Sequence, residues 1–278
     1  MLRRRALFAY AAALAAGAAA PAPAQQRAAP RRAPDMQRVF DRGRLVVAVA
    51  GFAAPPFVTI AADGALGGHD IALAQGMAGA IGLPLAFDRD ATSFDDVIDK
   101  VAQGAADLGI SRLSATPARA TLVRFSRPYL VLHHALLVSR PRFARIAPDG
   151  EPVAALEAGD APLAIVPGTA AAEHARRLVA PARLRAYRRW DPDVVDAVRG
   201  GEVIAGCGDE VEAKRALAAR PDAPLQLRAV MLADTRDPIA AALPWDSLQL
   251  LAWVDLYLDS AAPLSVEQLL GQPDKPAE

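Results

Sequence analysis

The sequence predicts an α/β protein of two lobes joined by two crossing strands. Three observations carry that prediction. Short apolar runs alternate with amphipathic stretches through the first half, the pattern of a mostly parallel sheet with flanking helices. The alternation stops and then resumes, which gives a second lobe. Two strand-like segments, HHALLVSR (133–140) and DPIAAALP (237–244), flank the second series and fit crossings between lobes.

In order, LVVAVA (45–50) is a valine-rich continuous run, the mark of a buried strand. The two prolines of GFAAPPF end it, and DGALGG (63–68) is a hairpin or loop tip. HDIALAQGMAGAIG places Ile71, Ala74, Met77, Ala78 and Ile81 at helical spacing, with Gly82 as the stop. LPLAF (83–87) is strand-like. Ser93 caps a helix over FDDVIDKVAQ, Gly104 ends it, and ADLGIS (106–111) is the next strand. The second series has strands at PLAIVPG (162–168), ARLRAY, EVIAGCGD (202–209) and LQLRAVML. Between them lie helices at TAAAEHARRLVA, DPDVVDAVRGG and EVEAKRALAAR. A last helix, DSLQLLAWVDLYL, is expected to pack back on the first lobe.

The expected domains are a signal peptide (1–24), a disordered leader (25–38), the first part of lobe 1 (39–138), lobe 2 (139–236), and a return strand with C-terminal helices on lobe 1 (237–278). The leader expectation rests on the Pro/Ala/Arg-rich composition of QQRAAPRRAPDM. The signal is read from Arg3, Arg4 and Arg5, the uncharged run Leu7–Ala20, and the small residues of Ala22-Pro23-Ala24 before the cut. Arg4-Arg5 leaves a twin-arginine route open. The protein is therefore expected to be exported, to the periplasm in a Gram-negative cell.

At 278 residues and 53% hydrophobic content, the chain can bury a sizeable core. Removing three signal arginines leaves 28 basic against 31 acidic residues, about −3 in net charge. That balance argues against a nucleic-acid surface. The single cysteine, Cys207, has no internal disulfide partner and reads as a buried thiol. No P-loop, HExxH or Ser-His-Asp order is present, which argues against an enzyme; no cofactor or metal is expected.

Ligands of open α/β sheets bind beyond the carboxyl ends of the strands. Here those ends are GFAAPPF, ISRLSATPAR, PGT and CGDE. In ISRLSATPAR, Thr116 reads as an N-cap and Pro117 as the first helical residue. Free N–H groups at such an end suit an anion, and Arg119 adds a fork that grips a carboxylate through two parallel bonds. Ser111 and Ser114 add hydroxyls. The competing reading pairs Arg119 with a surface carboxylate and leaves the serines as caps.

The sequence resembles the bacterial extracellular solute-binding proteins of family 3, the polar amino-acid binders of ABC transporters. The resemblance runs from about Arg44 to Leu258. It is carried by RLVVAVAGFAAPPF, LGGHDIALAQGMAGAIG, SFDDVIDKVAQGAADLGISRLSATPARA, VRFSRPY, ALLV, PGT and GEVIAGCGD. It implies a two-lobed periplasmic binding protein fold, type II-like, whose crossing strands form a hinge that closes on ligand. It implies that Arg119 clamps the ligand carboxylate, that Ser114 is the hydroxyl residue of that loop while Ser111 ends the strand before it, and that Phe94 covers the ligand. Gly168 and Thr169 match the second-lobe turn, and Asp209 matches the acid that receives an α-ammonium. The implied partners are an amino acid or related carboxylate and a membrane permease, with the receptor a monomer.

Three departures stand out. Ala54 replaces the usual aromatic before Pro-Pro-Phe, with Phe52 two residues earlier as its substitute. Ala170 stands where many members have a second threonine, and Arg112 where many have glycine; a cation there favours an acidic ligand or points to solvent. His133 and His134 are adjacent in a strand and so face opposite ways, which favours structural roles over a metal pair. Two alternatives remain at this level. One is a cyclohexadienyl or prephenate dehydratase-like enzyme on the same fold, although Ala170, Ala171 and Ala172 precede Glu173 where that branch resembles Gly-Thr followed closely by Asn-Glu. The other is a sensory or accessory module that presents ligand to a partner protein.

Overall fold

The computed structural model describes residues 31–146 and 152–271. The expected signal peptide lies outside them. From Ala33 on, the described residues form one compact unit.

The first lobe contains α1 (Pro34–Arg42), β1 (Leu45–Ala50), the hairpin β2 (Thr59–Ile60) and β3 (Leu66–Gly67), α2 (His69–Ile81), β4 (Leu85–Ala91), α3 (Phe94–Ala102), β5 (Leu108–Gly109) and β6 (Val123–Phe125). Next come β7 (Leu130–Leu132) and β8 (His134–Ser139). The second lobe continues with α4 (Arg140–Ile146), α5 (Pro152–Ala158), β9 (Leu163–Ile165), α6 (Ala170–Leu178), β10 (Leu184–Ala186), α7 (Val195–Gly200), β11 (Ala205–Asp209), α8 (Glu210–Ala218), α9 (Ala223–Gln226) and β12 (Leu227–Met231). The return is β13 (Asp237–Ile239), β14 (Ala242–Pro244), α10 (Leu248–Ser260) and α11 (Val266–Gly271).

The two main sheets are built alike. The first runs β4-β1-β5-β14-β6 and the second β10-β9-β11-β8-β12. In each, three strands are parallel and the crossing strand joins antiparallel: β14 beside β5, and β8 beside β11. Parallel strands buried on both faces read as apolar runs, and β1 has only Val46 short of full burial. Val47, Val49, Ile71, Met77, Leu108 and Ile110 fill one face of lobe 1, while Leu136, Val138, Leu163 and Cys207 fill one face of lobe 2. Burial pushes the Cys207 thiol up to about 12, away from any reactive role at neutral pH.

Four expectations need correction. The helix α1 begins at Pro34, inside the segment read as a disordered leader. Tertiary contacts hold it: Asp35 accepts from the N–H groups of Gln249 and Leu250 at 2.7 and 2.9 Å and so caps α10 from a distance. The lobe boundary also moves. HHALLVSR is a strand of the second sheet from His134 on, so the first crossing lies at His133, not near Ser139. DPIAAALP forms two strands: β13 pairs with β7 at the crossing and β14 enters the first sheet. Finally, α10 packs on lobe 1 through Leu250 and Val254, but α11 touches both lobes. Its Val266 and Leu269 meet Phe57 of lobe 1 and Val211 of lobe 2.

Candidate functional site

The loops that follow β1, β5, β9 and β11 face one another across a cleft. Segment 112–115 is held there by β13: the N–H of Ala115 donates to Pro238 O at 2.8 Å, and that of Ala240 to Leu113 O at 3.0 Å. Thr116 and Pro117 start no full helix. A single 3-10 turn, Arg119–Thr121, follows, and Thr116 Oγ1 accepts from the N–H of Arg119 at 3.3 Å. The expected helix N-terminus is therefore reduced to one short turn, which leaves the Arg119 guanidinium as the group there suited to an anion.

Arg119 is buried and reaches across the cleft. Its Nε and Nη2 donate to Asp95 Oδ1 at 3.0 and 2.8 Å, its Nη1 to Ser114 O at 3.1 Å, and its Nη2 to Gly168 O at 2.9 Å. The Asp95 side chain is 58% exposed. Both readings of Arg119 thus meet here. It pairs with a carboxylate, and that carboxylate is a water-exposed one.

Arg112 also faces the cleft. Its φ of 48° is left-handed, a region non-glycine residues rarely adopt. Asp70, fully buried at the start of α2, accepts from the Arg112 N–H at 2.5 Å and from Tyr129 Oη at 3.0 Å, and so pins this turn. The Arg112 guanidinium lies 5.1 Å from the Phe94 ring centroid and 6.0 Å from that of Phe57. Its Nη1 donates to Asp209 Oδ2 at 2.5 Å and lies 2.9 Å from Glu212 Oε1. Burial opposes its charge, but Glu212 and Asp209 hold the guanidinium firmly protonated.

Asp209, expected to meet a ligand ammonium, is thus already bound. Its other oxygen caps α8, accepting from the Glu212 N–H at 2.8 Å. Thr169 caps α6 in the same way, accepting from Ala172 N–H at 3.1 Å. Gly168 (φ 74°) contributes its carbonyl to Arg119. Ser114 Oγ donates to Asp237 Oδ2 at 2.9 Å. Phe94 meets Phe52 edge-on at 5.3 Å, so Phe52 does lie beside the site. Ser111 does not. It is fully buried, and its Oγ accepts from the Ala50 N–H at 3.0 Å, fastening β1 to the end of β5. Neither histidine of the 133–134 pair lines the cleft: His133 Nδ1 lies 2.5 Å from Thr235 O, and His134 packs on His174. Among the described residues, no cluster of three or more His, Cys, Asp or Glu side chains is placed to hold a metal.

Sequence reading passed over Asp70, Asp95, Glu212 and Asp237. Only Glu212 had a clear signal, because Asp209-Glu210-Val211-Glu212 fits a capping box. Burial, with Asp209 beside it, raises the Glu212 carboxyl to about 7 against the pull of Arg112. Burial raises Asp237 to about 6, opposed by the Ser114 bond.

Between these charges lies a cavity of about 20 Å³, room for about one water. A ligand enters only if the lobes part or side chains move. An adjoining cleft of about 630 Å³ opens past Phe52, Phe94, Arg112 and Glu212 to the surface.

The raised Glu212 value has a measurable sign. A carboxyl whose folded pKa lies above its unfolded 4.5 favours the fold fully below pH 4.5 and loses that contribution as pH rises to about 7. Wild type should lose about 1–3 kcal/mol relative to Glu212→Gln between pH 4.5 and 7.5. Urea unfolding of both proteins across that range measures the difference; parallel curves contradict it.

Two α/β lobes, joined by paired crossing strands and closed over charged side chains, define a two-lobed binding protein. The chain belongs to the bacterial extracellular solute-binding proteins, family 3, whose profile matches residues 45–261. No curated protein sequence matches it. Among solved structures it is similar to the amino acid ABC transporter substrate-binding protein AbpA from Streptococcus pneumoniae bound to L-arginine, at 28% identity and TM-score 0.67, over 80% of this chain and 90% of that one. It is similar to a putative ABC transporter binding component from Wolinella succinogenes complexed with lysine (24%, TM-score 0.68, 78% and 89%). It is also similar to the ancestral amino acid-binding protein AncCDT-1, a precursor of cyclohexadienyl dehydratase (24%, TM-score 0.67, 81% and 91%). No helix among the described residues is long and apolar enough to cross a membrane.

Proposed function

We propose that the protein is a periplasmic receptor, exported by its N-terminal signal, that captures a small carboxylate-bearing ligand between closing lobes and delivers it to an ABC-type permease. The observation that carries this reading is Arg119. Its planar fork is buried at the cleft, aimed at the second lobe, and occupied by an exposed carboxylate that ligand can replace. Amino acids are the class expected from the resemblance, and arginine and lysine are bound by two of the similar structures. The crossings at His133 and between β12 and β13 are the proposed hinge.

The dehydratase reading finds less support. Glu173, the acid that branch resembles, is exposed on α6 and lines neither cavity. A thermal-shift screen against amino acids, dicarboxylates and prephenate tests the receptor reading. A carboxylate ligand at a hundred times its Kd should add about 2.7 kcal/mol of stability. No shift with any carboxylate contradicts the reading, and turnover of prephenate replaces it with the enzyme.

A further inference from the structure

The cleft's cations and anions are not equally replaceable. Arg119 holds Asp95, whose side chain is 58% exposed and returns to water when displaced. Arg112 is different. Its side chain is 10% exposed, its partners Asp209 and Glu212 are 9% and 20% exposed, and two aromatic rings lie against it. Moving it out breaks two largely desolvated ion pairs and leaves their carboxylates unpaired, a costly step. The other carboxylate on the small cavity, Asp237, already accepts from Ser114. Every acidic group on that cavity therefore has a partner within the protein. A carboxylate is admitted by exchange with Asp95, whereas an ammonium has no acceptor without expelling Arg112. The outer cleft adds to this bias, since Arg89, Arg112, Arg188, Arg189 and Arg215 line it against Asp90, Asp191 and Glu212.

We infer that Arg112 serves as a built-in substitute for a ligand ammonium, and that the cleft selects a small dicarboxylate lacking an α-amino group. One carboxylate lies on Arg119 and the other faces the arginine-lined outer cleft. Arg112 is the residue that sets this selectivity, and the left-handed turn pinned by Asp70 directs its side chain inward. The inference rests on the carboxylate-receptor reading above and narrows its ligand.

Calorimetry with acids matched in carbon skeleton tests it: succinate against aspartate, glutarate against glutamate, with arginine as the cationic probe. Wild type should bind the dicarboxylate at least tenfold more tightly than its amino counterpart in at least one pair, and arginine not detectably. Arg112→Gly keeps the backbone turn, because glycine adopts the positive φ freely. It frees Asp209 and Glu212, so it should lose that preference and gain at least tenfold for the amino acids. A thermal melt of the variant checks folding. Wild-type binding of aspartate, glutamate or arginine as tight as that of the dicarboxylates overturns the inference while leaving the receptor reading intact. So does a preference unchanged in Arg112→Gly. Failure of wild type to bind any carboxylate in this series or in the thermal-shift screen overturns both.

Discussion

Arg119→Ala is expected to abolish detectable ligand binding with the fold intact. A desolvated charge pair that loses one partner costs about 2–5 kcal/mol, about thirtyfold or more in Kd. The side chain holds no hydrophobic core position. Its bonds go to Asp95, Ser114 O and Gly168 O at the cleft, where water reaches once the lobes part. Arg119→Lys should recover only part of the affinity, because a point charge cannot reproduce the two parallel bonds of the fork. Calorimetry on the three proteins with the screened ligand measures this, and circular dichroism checks that the variants fold. Wild-type affinity in Arg119→Ala would leave the loop as a turn with a surface ion pair and nothing more.

Asp70→Ala should have the largest effect on stability. Asp70 is fully buried and accepts two bonds, from the Arg112 N–H and from Tyr129 Oη. Alanine leaves both donors buried without an acceptor, at about 1–3 kcal/mol each. The sum is about 2–6 kcal/mol, and for a domain of this size each kcal/mol lowers Tm by about 2–4 °C. Part of the cost is offset because burial raises the Asp70 pKa, so its charge is itself held at some expense. Asp70→Asn keeps an acceptor and should recover much of the loss. A melting curve for Asp70→Ala within 2 °C of wild type would contradict the role assigned here. Ligand binding should weaken too, since the released turn no longer directs Arg112 into the cleft.

The pattern of elements was legible where it depended on local periodicity. β1, α2, α3 with its Ser93 cap, and the alternation of β9, α6 and β11 all lie where their apolar spacing put them. What failed depended on distant contacts. Pro34-Asp35 sits in disordered-looking composition, yet Asp35 becomes a cap for a helix more than two hundred residues away. The crossing was placed late because HHALLVSR is uniformly strand-like, and nothing local marks where a strand leaves one sheet for another.

At the site, residue types were legible but pairings were not. Arg119, Phe94, Ser114, Thr169 and Asp209 do meet around one cavity. Ser111 turned inward to Ala50 instead, because a hydroxyl at a strand end has two faces to choose from and the sequence does not rank them. Arg112 was seen as a departure, yet its direction depends on φ and on Asp70, forty-two positions away. An acid in the first turn of α2 reads from sequence only as a complement to the helix dipole.

The account rests most directly on the exchange at Arg119, and a crystal structure with the screened ligand bound tests it. The account predicts a ligand carboxylate accepting from Arg119 Nε and Nη2 in place of Asp95, with the Asp95 side chain turned to solvent and the lobes closed. A ligand seated elsewhere, with the Arg119–Asp95 pair unbroken, would contradict it.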